Sequence, residues 1–163
     1  MIPNPNLAYE KKIWSAYPFI AGLDEAGLGA LAGPVCVGAV ILPREHPHLL
    51  RALSGVHDSK QLTPRKRSEL VAPIQETALA QGIGFSSAQE IDQLGIVPAT
   101  RLAASRALEA LLQFPYYLLT DFRLELPELD IPQTAIVKGD QRSLSIACAS
   151  ILAKTARDEV MRE

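Results

Sequence analysis

The sequence predicts an α/β domain, and three observations carry that prediction. Short apolar, β-prone runs alternate with longer segments of helical periodicity. Three of the runs, at 19–23, 116–120 and 134–137, are followed at once or within a few residues by a carboxylate. The final stretch, 143–163, reads as one helix whose small residues Ala147, Ala149, Ser150 and Ala153 allow close packing on a sheet. In open α/β sheets the functional crevice lies at strand ends, so acids repeated there mark the expected site.

Taken in order, Leu7, Tyr9, Ile13, Trp14 and Tyr17 among Glu10, Lys11 and Lys12 suit an accessory amphipathic helix within residues 1–17. The first strand, 19–23, ends in Asp24 and Glu25, followed by Gly27, Gly29 and Gly33. Two adjacent carboxylates repel unless a cation lies between them, and a hard divalent metal prefers oxygen ligands. Consecutive strand residues point to opposite faces, so the pair shares one metal only if the backbone bends just after the strand. The glycines permit that bend and let N–H groups approach an anion. These residues alone equally allow an ordinary solvated turn.

The run 35–42 is apolar at odd and even positions, as in a strand covered on both faces, and Gly38 suggests close approach of another element. His46, His48 and His57 lie in loop-like sequence without a ligand cluster and are expected to be solvated. Thr63 and Pro64 start a helix as N-cap and first helical residue. The nearby Lys60, Arg65, Lys66 and Arg67 form either a solvated helix end or a basic patch, with Lys60 in the preceding loop able to reach a phosphate. Leu70, Ile74 and Ala78 continue the helix, which Pro73 should kink.

Residues 82–87 read as a strand, and Pro98 as the start of a helix ending before Pro115. Its expected wet face carries Arg101, Ser105, Arg106, Glu109 and Gln113; Leu102, Ala104, Leu108 and Leu111 are expected to face inward. The strand at 116–120 leads to Asp121, and the strand at 134–137 leads through Lys138 and Gly139 to Asp140.

A length of 163 residues suits a single domain, 1–163. No run is long enough for a membrane span and no signal peptide is indicated, so the chain is expected in the cytoplasm. Cys36 and Cys148 sit in apolar runs outside any ligand spacing and read as buried free thiols. A net charge of −2 argues against a general nucleic-acid binder but leaves room for a local basic patch.

If Asp24, Glu25, Asp121 and Asp140 converge, they form an oxygen-only site that selects magnesium or manganese over zinc or copper. Two such ions, ~3.5 to 4 Å apart, activate water on one side of a phosphodiester and stabilise the leaving oxygen on the other. The motifs AGLDEAGLGALAGPV, HDSKQLTPRKR and VKGDQRSLSIACASILAKTARDEVM, in that order and spacing, closely resemble bacterial ribonuclease HII, the type 2 ribonuclease H, and the match runs from Phe19 onward.

That resemblance implies a ribonuclease H-like fold, a mixed central β-sheet flanked by α-helices. It also implies endonucleolytic cleavage of RNA in RNA/DNA hybrids and incision at ribonucleotides in duplex DNA, leaving 3′-hydroxyl and 5′-phosphate ends. Asp24, Glu25, Asp121 and Asp140 match the family's catalytic, metal-binding acids, with Mn2+ or Mg2+ as cofactor. Gly27 and Gly29 match the Gly-Arg-Gly segment that contacts the ribose 2′-hydroxyl, and Lys60 matches the substrate-facing Asp-Ser-Lys loop. The expected partner is a hybrid or ribonucleotide-containing duplex, bound by a monomer away from membranes.

Two departures stand out. Leu28 replaces the family's arginine, which predicts weaker or less selective substrate binding. The sequence stops at Glu163 within a helix, whereas the family continues into a basic segment with a substrate-contacting tyrosine, so a truncated chain is expected. Asp158 falls on the outer part of the last helix and outside the expected site. The main alternative is a folded nucleic-acid-binding remnant that no longer cleaves. A phosphoacceptor signalling domain also carries an acid pair, a later aspartate and a lysine, but Asp121 comes too late for it. Another nuclease of the same fold is opposed only by the motif matches.

Overall fold

The computed structural model describes residues 4–30, 32–57 and 61–163. They form a five-stranded mixed sheet from β1 (Ile20–Ala26), β2 (Val35–Ile41), β3 (Ala80–Ser86), β4 (Tyr117–Asp121) and β5 (Gln133–Ile136), in the order β3-β2-β1-β4-β5. β2 is antiparallel to both β1 and β3, whereas β4 runs parallel to β1 and β5. The helices are α1 (Ala8–Trp14), α2 (Leu49–Ala52), α3 (Pro64–Thr77), α4 (Ala88–Leu94), α5 (Ile96–Glu109) and α6 (Leu144–Met161).

β2 is buried throughout, and its alternation divides the core. Val35, Val37, Ala39 and Ile41 join a cluster with Ala103, Ala104 and Ala107 of α5. Val40 joins the opposite cluster, with Ile146, Ala149 and Leu152 of α6. The sheet is thus covered on both faces, as its apolar sequence predicts.

Glycines set how closely the helices lie. A Cβ on Gly38 would collide with the carbonyl oxygen of Ala149, and one on Gly22 with the backbone of Ser145, so α6 rests directly on the centre of the sheet. Gly82 and Gly84 do the same for α5, against the carbonyl oxygens of Ala107 and Ala103. Of the residues expected to face inward here, Ala104 and Leu111 are buried, but the leucines of α5 are not the core of that face. The buried stripe of α5 is Ala99, Thr100, Ala103, Ala104 and Ala107, while Leu102 and Leu108 are half-buried, because only small side chains fit so close to the strand.

Other boundaries also move. α5 starts at Ile96, and a separate α4 precedes it, closed by a capping box between Ser87 and Glu90. α3 begins at the Thr63 cap, whose side chain accepts from Lys66 N, and stays one helix through Pro73. The N-terminal helix is only Ala8–Trp14, and it is more than an accessory: Leu7 and Trp14 belong to the core and Glu10 is fully buried. The expected 143–163 helix spans Leu144–Met161, with Ser143 as its N-cap. Both cysteines are buried, and desolvation pushes the Cys36 thiol up to about 12. Among the described residues, no helix is long and apolar enough to cross a membrane.

Candidate active site

The site begins where β1 and β4 part. Their parallel ladder ends at the Leu23–Thr120 rung, so the next residues, Asp24 and Asp121, stand side by side beyond it. β1 itself continues, paired only with β2 through Asp24–Gly38, Glu25–Val37 and Ala26–Cys36. This corrects the expectation that the strand stops at Leu23 and the bend brings the acids together. Both lie inside β1, and the turn comes after Ala26, at Gly27 with φ +100°.

Past the last β1–β4 rung, the gap between the strands lets carboxylates from opposite faces meet. One oxygen each from Asp24, Glu25 and Asp121 lies within 4.8 Å of the others. The backbone N–H of Glu25 donates to Asp24 Oδ1 at 2.9 Å, fixing one orientation of the carboxylate. Asp140 arrives on a 3-10 turn, Gly139–Gln141, entered through Lys138 in a left-handed conformation (φ +53°). Gly139 N donates to Asp121 Oδ1 at 3.3 Å and ties this turn to the end of β4. Asp140 is buried and lines the same cavity, of about 590 Å3, as Asp24, Glu25 and Asp121. The structure therefore brings all four predicted acids to one place.

Burial first, then the neighbouring Glu25, Asp121 and Asp140 carboxylates, push the Asp24 carboxyl well above its ordinary range. Glu25 Oε2 is buried with no hydrogen-bond partner. A buried, unpaired carboxylate oxygen beside two more acids is costly without a cation, and the donors are all oxygen. The cluster could bind a metal, and it fits a hard divalent ion such as Mn2+ or Mg2+.

Gly27 and Leu28 line the cavity, whereas Gly29, with φ +85°, is open and is not among the lining residues. Leu28 also packs against the α5-side core. Lys60 lies outside the described residues. Three cations that the sequence reading missed also line the cavity: Arg123, Lys138 and Lys154. Lys154 follows Ser150, another lining residue, by one helical turn, a spacing visible in the sequence. Asp158 does not line the cavity and holds Lys154 at 3.4 Å and Arg67 at 3.0 Å. Arg157, also missed, tethers the loop after β1 by donating to Pro34 O at 2.8 Å and Ala32 O at 2.9 Å. Its side chain fills the space that a Cβ on Gly27 would need.

A five-stranded mixed sheet with helices on both faces, and acids gathered where β1 and β4 part, defines a ribonuclease H-like fold with an all-oxygen cluster that could hold a metal. The fold matches ribonuclease H2 from Pyrococcus horikoshii OT3 with a TM-score of 0.73 and 25% identity, covering 88% of this chain and 74% of that one. Bst-RNase HIII, solved in complex with Mn2+, shares the fold with a TM-score of 0.69 and 23% identity, covering 88% of this chain and 53% of that one. A ribonuclease HII from Dehalococcoides mccartyi is 50% identical over 161 residues, 98% of this chain and 74% of the relative. Against other curated relatives the chain spans as little as 48% of their length. The sequence profile of the family described as Ribonuclease HII matches residues 21–163. The chain belongs to the ribonuclease HII family, metal-dependent endoribonucleases of the ribonuclease H type.

Proposed function

We propose that the chain is an endoribonuclease that hydrolyses the RNA strand of RNA/DNA hybrids and incises at ribonucleotides embedded in duplex DNA, using two divalent ions. The observation that carries this reading is the convergence of Asp24, Glu25, Asp121 and Asp140 on one cavity, with a buried Glu25 oxygen left unpaired. Family membership supports hybrid-directed endoribonuclease activity.

In this reading Asp24, Glu25, Asp121 and Asp140 hold the metal and are the catalytic acids. Bound there, two ions supply an activated water and charge stabilisation for the leaving 3′-oxygen, giving 5′-phosphate and 3′-hydroxyl ends. Asp24 must be deprotonated to serve as ligand, so its raised pKa sets protonation in competition with metal loading as the pH falls. Arg123, Lys138 and Lys154 are placed to hold substrate phosphates at the rim. The loop at Gly27 and Gly29 offers backbone groups to the ribose 2′-hydroxyl, and Lys60, by its match to the family's Asp-Ser-Lys motif, adds a charge for the substrate. Leu28 supplies no guanidinium, which leaves that discrimination to the backbone.

The test is manganese- and magnesium-dependent nicking of a labelled duplex carrying one ribonucleotide. Expected is a single metal-dependent cut whose 3′ end a polymerase extends without phosphatase treatment. Duplex binding with no cut at high enzyme concentration, in either metal, would instead identify a folded remnant that no longer cleaves.

A further inference from the structure

Glu10 is a fully buried carboxylate on a seven-residue helix, outside the acid cluster and unused by the chemistry above. Its Oε2 accepts from Ser143 Oγ and from Ser145 N, both at 2.9 Å. These are the N-cap and the first turn of α6, where the helix dipole favours a negative charge. Ser143 Oγ also accepts from Ile146 N at 3.2 Å, so its hydroxyl is fixed in direction.

The backbone on either side reinforces the clamp. Asn6 bridges to Ser143, with Leu144 N donating to Asn6 O at 2.9 Å and Asn6 N to Arg142 O at 3.3 Å. The Arg142 guanidinium lies 5.5 Å from the Tyr9 ring centre. Residues 6–10 therefore grip residues 142–145.

What they grip continues directly into the site. Ser143 N and Arg142 N donate to Gly139 O at 2.8 and 3.0 Å, so the gripped segment closes onto the turn that carries Asp140. Gly139 in turn donates to Asp121. On the other side, Ser145 presses on Gly22, two residues before Asp24. The start of α6 is thus fixed against both halves of the acid cluster.

We propose that Glu10 is a positioning residue for Asp140: its carboxylate locks the first turn of α6 and so sets where the Gly139–Gln141 turn presents Asp140 to Asp24 and Asp121. The inference rests on the metal-binding reading of the cluster. Groups that orient metal ligands from behind typically change metal affinity by 10- to 100-fold when removed.

The experiment is Mn2+ titration of the full chain without nucleic acid, followed by calorimetry or by the electron paramagnetic resonance of free Mn2+. Expected is a loss of about tenfold or more for Glu10→Ala, comparable to Asp140→Asn, and no further loss when the two are combined. Glu10→Gln, which keeps an acceptor of the same shape, is expected to restore affinity to within about threefold of wild type. Ser143→Ala removes one of the two bonds and guards against failure of Glu10→Ala to fold; it is expected to weaken Mn2+ binding with its unfolding still cooperative. Wild-type affinity in a folded Glu10→Ala or Ser143→Ala protein, or additive losses in the double variant, overturns the positioning role alone. If Asp140→Asn itself binds Mn2+ as tightly as wild type, the assignment of the acid cluster fails and takes this role with it.

Discussion

Asp24→Asn should make the metal-free protein more stable while removing its response to metal. Asp24 is 6% exposed, and oxygens of Glu25 and Asp121 lie within 4.8 Å of its own. At an effective dielectric near 20, each such like-charge pair costs at least about 3.5 kcal/mol when both groups are ionised. The protein can escape by protonating Asp24, which at neutral pH costs up to about 4 kcal/mol from an ordinary aspartate value. The asparagine avoids either cost and keeps an oxygen for the Glu25 N–H. The expected gain in chelator at pH 7 is about 2 to 4 kcal/mol, or roughly 4 to 16 °C in Tm for a domain of this size.

The sign with pH follows from the direction of the shift. A carboxyl whose folded pKa is raised penalises the folded state above that value, and the penalty vanishes below the unfolded pKa. The advantage of Asp24→Asn should therefore shrink as the buffer is acidified from neutrality. With Mn2+ at a hundredfold excess over its Kd, wild type should gain about 2.7 kcal/mol and the variant much less, closing most or all of the gap between them. Thermal unfolding by circular dichroism, in chelator and in Mn2+, reads all three effects. A variant less stable than wild type in chelator at pH 7 would refute the reasoning, because it would mean that the protein itself already compensates the Asp24 charge.

Three further outcomes are expected. Leu28→Arg should raise kcat/KM on a single-ribonucleotide duplex by about 10- to 100-fold, the equivalent of one charge-assisted hydrogen bond; no gain would show that the arginine position is idle here. Gly38→Ala should destabilise by about 1 to 3 kcal/mol in urea titrations, since its Cβ would meet the Ala149 carbonyl in the middle of α6; a change below about 0.5 kcal/mol would contradict that close packing. Glu10→Gln should match or exceed wild-type stability at neutral pH, because burial raises the Glu10 pKa, and wild type should gain on the variant as pH falls toward the ordinary glutamate range. Urea midpoints across that range check it, and the opposite slope would mean that the ionised carboxylate is net stabilising.

The acids were legible because each follows a short apolar run, and four carboxylates without histidine or cysteine leave few chemical choices. The way they meet was not. Periodicity locates β1 but not the point where it loses β4 as a neighbour, and that loss of pairing at Leu23 lets Asp24 and Glu25 share a site without leaving the strand. The face of α5 was misjudged at Leu102 and Leu108 for a related reason. Hydrophobicity ranks Leu102 and Leu108 above Ala103 and Ala107, but Gly82 and Gly84 on β3, against which the helix packs, bring it too close for leucine.

Glu10 was hidden because an acid among lysines reads as a wet helix face, and only the fold places it at the start of α6. The same holds for Arg157, whose partners are carbonyls of a loop more than a hundred residues earlier. By contrast, Ser87 and Glu90 carried a readable capping signal for α4, and Ser150 and Lys154 a one-turn spacing on α6.

The most direct measurement is anomalous diffraction from crystals soaked in Mn2+. Two peaks ~3.5 to 4 Å apart, contacted by oxygens of Asp24, Glu25, Asp121 and Asp140, are the expected result. Peaks elsewhere, or a soaked crystal in which Asp121 or Asp140 turns away from Asp24, would contradict it.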